Sequence, residues 1–396
     1  MKRTNTVTAL LFILLTLLMI GQLFWHGDAA ISALRKPLQE QQTLLGKVDA
    51  ITEEGEGAAN AALDENHLFV QLFGGIQRLF GQRYVEDTAG MPVARLSTGA
   101  LTFAAIQSYI DPTKNAAAVK TMSDALAQDG IPLLMAVAPG KLEAGADQMP
   151  YGLSDYGNEI CDSFLTSVQA QGVDTLDLRT SFPAGDAYAA LYFVTDHHWK
   201  PEGAFLACQQ LMSALNARYG LPMQSQWLSE DAFTVETVEQ FFLGSQGKRV
   251  GSLYAGMDDL SIYTPKEETH FRYEISDRKL TREGSFNEAL CFPERLEEKD
   301  PFSANPYTYY SGGDWGSARI TNADDPDGPK IALIRESFSC ALTPFLALQC
   351  SELLTYDVRY FKGDLVRTLR DEQPDLVIIL YAAPSTRSEN MFRWKN

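Results

Sequence analysis

The segment at residues 193–203, FVTDHHWKPEG, places an aspartate and two of the chain's five histidines side by side. In an extended segment, side chains two positions apart point to the same face, so we expect Asp196 and His198 to share a face and His197 to point away. An aspartate beside a histidine holds the imidazole tautomer and stabilises the imidazolium, which is what a serine nucleophile requires. The segment therefore predicts the orienting acid and the base of an acyl-transfer site.

Ser337 is the candidate nucleophile, because it lies where the apolar strand IALIRES gives way to a helix. A hydroxyl at that point faces the crevice above a parallel sheet, and backbone N–H groups at the start of the helix can bind an oxyanion. Taken alone, the position is equally consistent with an N-cap for the helix that starts at Phe338.

Two other interpretations of the histidine segment stay open. His198 could be a structural histidine while Asp196 caps the following helix. A metal site would use both adjacent histidines, but these diverge in an extended segment, and the other three lack the spacing of metal ligands. We therefore expect no metal, and nothing in the sequence indicates another cofactor.

Apolar strands alternate with helices on both sides of these residues. Before the histidine segment, strands are predicted at residues 131–139 and 173–178 and helices at 115–130 and 158–172. After it, Pro201 opens a helix that Gly220 ends, and the alternation resumes from residue 330 with three strands and two helices. The pattern predicts an α/β fold with a mostly parallel sheet flanked by helices and functional groups at the carboxyl ends of its strands.

The N-terminus predicts a membrane anchor. Lys2 and Arg3 precede an uncharged run at residues 6–25, which is long enough to span a bilayer as a helix and places the rest of the chain outside the cytoplasm. A cleaved signal peptide is the alternative. The predicted organisation is an anchor or signal at 1–30, a juxtamembrane stalk and linker at 31–64, and one α/β domain at 65–396. Within that domain, a β-rich or irregular segment is inserted at about 221–330.

The net charge limits the classes of binding partner, and the cysteine content limits the number of disulfide bonds. The formal net charge of −18 repels phosphate backbones, so we expect no nucleic-acid partner, and a neutral or cationic polymer fits better. The odd number of five cysteines allows two disulfides at most in an exported protein, and buried unpaired thiols are the favoured interpretation.

The element TDHHWKPEGA resembles the signature of the bacterial DHHW family, which is related to the SGNH-like domain of alginate acetylation proteins. Further elements are similar to blocks of that family and together span about residues 65–385: MAVAPGK, FLGSQGKRVG, YYSGGDWG, RESFSCALTPFL and YDVRYF. The resemblance implies an SGNH-hydrolase-like fold, with Asp196 as orienter, His198 as base and Ser337 as nucleophile.

The resemblance also implies roles for residues around this triad. Arg359 in the RYF block would contact the oxyanion or the substrate, with a surface ion pair to Asp357 as the alternative. Lys141 and Lys248 would contact a carbohydrate or the acetyl donor, unless they are ordinary solvated lysines.

The sequence departs from the family pattern at two positions. Glu336 stands where the family usually has aspartate, and Asp314 stands where related sequences often have asparagine. An ionised carboxylate only accepts hydrogen bonds, so an aspartate in the oxyanion hole would count against catalysis.

The implied function is that of an extracytoplasmic, membrane-anchored O-acetyltransferase or acetylesterase. Its substrate would be a cell-surface or exported polysaccharide, and a membrane-bound acyltransferase would supply the acetyl groups. A non-catalytic carbohydrate-binding scaffold with a degenerate triad is the alternative, and Asp314 is the feature that favours it.

Overall fold

The computed structural model describes residues 2–63, 66–86, 90–104 and 108–395. The chain forms two compact units, one of Met1–Gln82 with Val250–Tyr254 and one of Arg83–Arg249 with Ala255–Asn396. The domain boundaries inferred from the sequence stay a prediction.

The first unit is helical. Its helices are α1 (Lys2–Trp25), α2 (Gly27–Glu40), α3 (Leu44–Leu63) and α4 (Leu68–Leu79). Residues 53–60, the centre of the predicted linker, lie inside α3. Gly74 of α4 allows a close approach to the segment 250–254, because a Cβ at this position would lie 1.6 Å from the carbonyl oxygen of Val250.

No helix in the described part of the chain is by itself long and apolar enough to cross a bilayer, whereas the pair Phe12–Trp25 and Gly27–Glu40, bent by 60° at its break, passes the same test by length and composition. The anchor predicted for residues 1–30 stays a prediction.

The second unit contains the strands and the remaining helices. The strands are β1 (Tyr84–Val85), β2 (Val93–Arg95), β3 (Leu101–Phe103), β4 (Leu133–Ala138), β5 (Asp174–Asp177), β6 (Phe233–Phe242), β7 (Asp258–Pro265), β8 (Phe271–Ile275), β9 (Leu280–Gly284), β10 (Ser317–Asn322), β11 (Lys330–Arg335), β12 (Glu352–Tyr356) and β13 (Leu376–Ala382). The helices are α5 (Thr113–Ala127), α6 (Gly157–Ala170), α7 (Asp186–Ala189), α8 (Pro201–Tyr219), α9 (Gly247–Val250), α10 (Ser252–Ala255), α11 (Ser339–Ala347) and α12 (Leu365–Glu372), of which α9 and α10 run into the segment 250–254.

Among the described residues, eight strands form the central sheet, in the order β5-β4-β13-β11-β12-β10-β8-β9. The first five of these run parallel to one another, and the last three are antiparallel to their neighbours. The predicted α/β fold is therefore present, with a mixed sheet. Because the parallel strands end at one edge, the loops that follow them meet there.

Helices cover both faces of this sheet. Alternate residues of β4 enter opposite cores: Leu134 packs with helices α8 and α11, whereas Leu133 packs with α5, α6 and α12. Such burial on both faces explains why the parallel strands are continuous apolar runs. Pro201 opens α8 and Gly220, with φ 68°, ends it, as predicted.

The segment at 221–330 is only partly a separate layer. Strands β6 and β7 form their own hairpin, whereas β8, β9 and β10 extend the central sheet. The extension follows from alternating apolar residues, since Phe271, Tyr273 and Ile275 of β8 are buried in the sheet's core. The five cysteines are all buried and unpaired, as the favoured interpretation predicted.

Candidate active site

A cleft of about 280 Å³ opens in the second unit at the carboxyl edge of the parallel strands. Its walls include residues from the loops that follow four of them: Lys141 after β4, Ser337 after β11, Arg359 after β12 and Ser385 after β13. The cleft therefore lies where the strand pattern predicted the functional groups.

Asp196, His198 and Ser337 form a hydrogen-bonded chain at this cleft. His198 Nδ1 lies 2.5 Å from Asp196 Oδ1, and His198 Nε2 lies 2.8 Å from Ser337 Oγ. Asp196 and His198 are buried, and Ser337 lines the cleft. This is the order of acid, base and hydroxyl that activates a serine for attack on a carbonyl group. The Ser337 hydroxyl faces His198 Nε2, which is the geometry of the nucleophile interpretation rather than that of a helix cap.

Asp258 on β7 binds the start of the histidine segment through hydrogen bonds. Its carboxylate accepts hydrogen bonds from Val194 N at 2.6 Å, Thr195 N at 2.7 Å and Thr195 Oγ1 at 2.6 Å. Lys141 Nζ donates to the carbonyl oxygens of Val194 at 2.9 Å and Asp196 at 2.5 Å. Two buried ionisable groups, Asp258 and Lys141, therefore fix the backbone that carries the acid and the base.

The segment 242–247 packs directly against Asp196. Ser245 N donates to Asp196 Oδ2 at 2.7 Å, and Gly244 N donates to Thr195 Oγ1 at 2.7 Å. Gly244 is required by contact, since a Cβ there would lie 2.2 Å from Asp196 Cβ and 2.7 Å from its backbone nitrogen. The Gly-rich element FLGSQGKRVG thus packs against Asp196 and provides one of its hydrogen-bond donors.

Aromatic rings fix the base and the turn that carries the nucleophile. The Tyr307 ring stacks on the His198 ring, with centroids 3.9 Å apart and planes 12° from parallel. Its hydroxyl lies 2.9 Å from the carbonyl oxygen of Ser337 and 2.8 Å from that of Phe338. Trp199 is fully buried and donates through Nε1 to the same Phe338 oxygen at 2.8 Å.

The predicted direction of His197 is wrong. Its ring centroid lies 3.8 Å from that of His198, because residues 194–198 form a series of bends rather than an extended strand. The Nδ1 atom of His197 lies 2.9 Å from Ser245 Oγ, and the ring lines the cleft.

The ligand atoms of Asp196, His197 and His198 lie within 4.8 Å of one another and form a candidate metal-binding group among the described residues. Both ring nitrogens of His198 already lie within hydrogen-bond distance of protein groups, Asp196 at one and Ser337 at the other. A metal at His198 would have to replace one of these contacts, so the donor set fits a proton relay better than a metal centre.

Burial and charge shift the ionisation of the site. Burial alone would raise the pKa of Asp196, but the two adjacent histidines and the hydrogen bond from Ser245 hold it well below its usual range. The acid is therefore ionised when it faces His198. Burial lowers the pKa of Lys141 to about 7, although Asp258 and Asp196 raise it. Lys141 is thus a buried positioning group rather than a solvated surface lysine.

Arg359 lies at the cleft wall within a network of charges. It donates to Asp357 through Nε at 2.9 Å and through a terminal nitrogen at 2.5 Å, and to Asp314 Oδ2 at 2.8 Å. Asp314 also lies 3.4 Å from a terminal nitrogen of the buried Arg335. The ion pair expected as the alternative for Arg359 is present, and the side chain remains 30% exposed, so it can still meet a ligand.

The structure places the other predicted site residues in different settings. Lys248 Nζ donates to the carbonyl oxygen of Ala304 at 2.6 Å and is partly buried. Glu336 is buried in the cleft wall, where its Oε1 accepts from Ala382 N at 2.8 Å, and burial raises its pKa. Sequence reasoning missed Asp258 and Tyr307, for which no local pattern gave a signal.

Comparisons with known proteins agree with the motifs. Residues 104–269 match a family described as SGNH hydrolase-like domain, acetyltransferase AlgX. Curated relatives named "Probable alginate O-acetylase AlgJ" are 24% identical over 229 residues in Pseudomonas aeruginosa and over 235 residues in Pseudomonas putida. These matches cover 57% and 56% of this chain, and 48% and 57% of the relatives. The chain therefore spans about half the length of the curated relatives it matches.

Solved structures share the fold. PatB1 of Bacillus cereus, in a structure with a sulfonyl adduct, superposes with a TM-score of 0.63 at 19% identity, covering 77% of this chain and 98% of that protein. A DHHW family protein from Eubacterium siraeum gives 0.54 at 19% identity, covering 78% and 96%. The resemblance indicated by the motifs is confirmed, and the α/β fold is SGNH-hydrolase-like. The matched family range includes Asp196 and His198, and Ser337 lies beyond it.

Proposed function

We propose that this chain is an extracytoplasmic, membrane-anchored O-acetyltransferase or acetylesterase that acts on a cell-surface or exported polysaccharide. The observation that carries the proposal is the contact of 2.8 Å between His198 Nε2 and Ser337 Oγ, with Asp196 behind the imidazole and the cleft in front of the hydroxyl. Relatives named "Probable alginate O-acetylase AlgJ" support the same reaction class.

In the first step, Ser337 Oγ attacks the carbonyl carbon of an acetyl donor while His198 Nε2 takes the hydroxyl proton. Asp196 stabilises the imidazolium that forms. Collapse of the tetrahedral intermediate breaks the bond to the donor's leaving oxygen, which receives the proton from His198. The products of this step are an acetyl-serine and the free donor alcohol.

The negative charge of the tetrahedral intermediate needs donors at the same edge of the sheet. Backbone N–H groups at the start of α11 and the guanidinium of Arg359 are the candidates. Arg359 lines the cleft with Ser337, which supports this role. Asp357 and Asp314 hold the guanidinium in place.

In the second step, a hydroxyl oxygen attacks the acetyl carbon, His198 accepts its proton, and Ser337 Oγ leaves with that proton. Attack by a sugar hydroxyl makes the protein a transferase, and attack by water makes it an esterase. Lys2 and Arg3 before the apolar run at 6–25 support an anchor that keeps the site beside a membrane-bound acyltransferase.

Mass spectrometry of the purified protein after incubation with p-nitrophenyl acetate tests the nucleophile. We expect one added acetyl group on Ser337, and none in Ser337→Ala. Ser351→Ala is the matched control, because Ser351 precedes β12 at the opposite edge of the sheet. If wild type gains no acetyl group and releases no p-nitrophenol, the carbohydrate-binding scaffold becomes the better description.

A further inference from the structure

Gln246 carries a buried hydrogen-bond donor that nothing in the described part of the protein satisfies. The side chain has no exposed surface, it forms part of the wall of the cleft, and its Nε2 atom lacks a partner among the described residues. Leaving a buried N–H group unpaired costs free energy, so such groups in folded proteins usually have a functional or structural reason.

The amide oxygen of Gln246 contacts Ser245. Ser245 Oγ donates to Gln246 Oε1 at 3.2 Å and lies 2.9 Å from His197 Nδ1. Because the single hydroxyl proton of Ser245 goes to the amide oxygen, the hydroxyl accepts from the imidazole. The oxygen of Gln246 is therefore engaged, and the N–H₂ group is the part left for a ligand.

Gln246 lies on the side of the cleft that carries the base. The preceding residue, Ser245, donates to the carboxylate of Asp196, and His197, which contacts Ser245, lies beside His198. An acceptor alcohol has to approach from this side, because His198 Nε2 must take its proton as the alcohol oxygen attacks the acetyl carbon.

We propose that Gln246 Nε2 binds a second oxygen of the acceptor sugar, next to the hydroxyl that attacks the acetyl group, and so selects sugars over water. The inference rests on the proposed function, since it assigns the acceptor subsite of the same reaction. Water has no second oxygen, so hydrolysis does not use this contact.

Acceptor binding requires a small movement of the cleft wall, because Gln246 has no exposed surface in the free protein. Phe103 is the residue of the cleft wall that we expect to move. Its half-buried side chain lines the same cleft, with its ring centroid 6.4 Å from that of His197.

Competition between two small alcohols tests the subsite. Glycerol carries a vicinal oxygen and ethanol does not, so wild-type acetyl-enzyme made with p-nitrophenyl acetate should transfer its acetyl group preferentially to glycerol. Gln246→Met should lower the ratio of glycerol acetate to ethyl acetate about tenfold, as expected for one lost hydrogen bond. The ratio is measured on the acetyl-enzyme that each variant forms, and mass spectrometry gives the amount of that acetyl-enzyme.

Two further variants distinguish loss of the Gln246 hydrogen bond from general destabilisation of the protein. Gln246→Glu keeps the oxygen that accepts from Ser245 and removes the amide donor, so it should lower the same ratio. Gln349→Met makes the same change at another fully buried glutamine, whose amide bonds to the backbone of Gln224, and should leave the ratio unchanged.

The outcomes distinguish failure of the acceptor subsite from failure of the proposed acyl-transfer function. An acetyl-enzyme with no preference for glycerol, or a preference that Gln246→Met and Gln246→Glu both keep, overturns the subsite and leaves the nucleophile intact. Failure of wild type to form the acetyl-enzyme overturns the proposed function itself.

Discussion

Asp258→Asn is predicted to destabilise the protein and to disable the site without touching the cleft. The carboxylate accepts three hydrogen bonds from Val194 and Thr195, and only 4% of the residue is exposed. Asparagine keeps one oxygen, so whichever way the amide turns, at least one donor faces an N–H₂ group. The remaining bonds also lose the negative charge of their acceptor.

The expected loss of unfolding free energy can be estimated from these three hydrogen bonds. A hydrogen bond to a charged group contributes about 1.5–3 kcal/mol, and an unpaired buried donor adds its desolvation cost. With one bond lost and the others weakened, we expect the free energy of unfolding to fall by about 2–4 kcal/mol. Val194 and Thr195 lead directly into Asp196, and a displacement of about 1 Å in a catalytic group costs about 10²-fold in rate. Acetylation of Ser337 should fall by at least that factor.

Urea unfolding at pH 7 followed by tryptophan fluorescence gives the stability, and the rate of acetyl adduct formation gives the chemistry. Asp259→Asn is the matched control on the same strand, since Asp259 is exposed and accepts one hydrogen bond, from Gln240 N at 2.7 Å. It should change stability by less than about 1 kcal/mol. If Asp258→Asn behaves like this control in both assays, the reasoning that Asp258 holds the histidine segment is refuted.

Three further substitutions test the site. Asp196→Asn should preserve folding, measured by circular dichroism, and lower the acetylation rate by about 10³–10⁴-fold, because the imidazolium loses its counter-charge; undiminished turnover would reject the triad. Gly244→Ala should destabilise the protein by about 1–3 kcal/mol in urea unfolding, since its Cβ would meet the backbone of Asp196, whereas Gly57→Ala, with nothing within 4 Å, should not destabilise it. Glu336→Gln should be more stable than wild type at neutral pH. Burial raises the pKa of Glu336 in the folded state, so as pH rises through the unfolded carboxyl's pKa the unfolded state ionises first and wild type loses stability. Unfolding at pH 4 and pH 7 should therefore show a gain for Glu336→Gln that grows with pH, and a constant difference would contradict this.

The local sequence was sufficient for the five parallel strands, for the helices that alternate with them and for the two segments that meet at the cleft. Continuous apolar runs such as 376–380 predicted strands buried on both faces, and β13 has that environment. The spacing of Asp196 and His198 and the place of Ser337 after β11 are local features, so they were visible in the sequence before any contact was known.

The supporting residues could not be predicted in the same way. Asp258 and Tyr307 lie 62 and 111 residues beyond Asp196 in the chain, and only the packing of the second unit brings them to the histidine segment. The direction of His197 was missed because an extended segment was assumed, whereas Asp258 and Lys141 hold residues 194–198 in bends. Side-chain direction within a loop is decided by such long-range bonds rather than by sequence spacing.

Asp314 was the one feature of the sequence that favoured a non-catalytic scaffold, and that argument depended on an oxyanion-hole position. Its carboxylate instead accepts from Arg359 at 2.8 Å and lies 3.4 Å from a terminal nitrogen of Arg335. A carboxylate in this place fixes the guanidinium that lines the cleft. An asparagine there would keep one acceptor, gain an N–H₂ donor and lose the charge, so the aspartate strengthens the hold on Arg359. The departure from the family pattern at Asp314 is therefore compatible with acyl transfer.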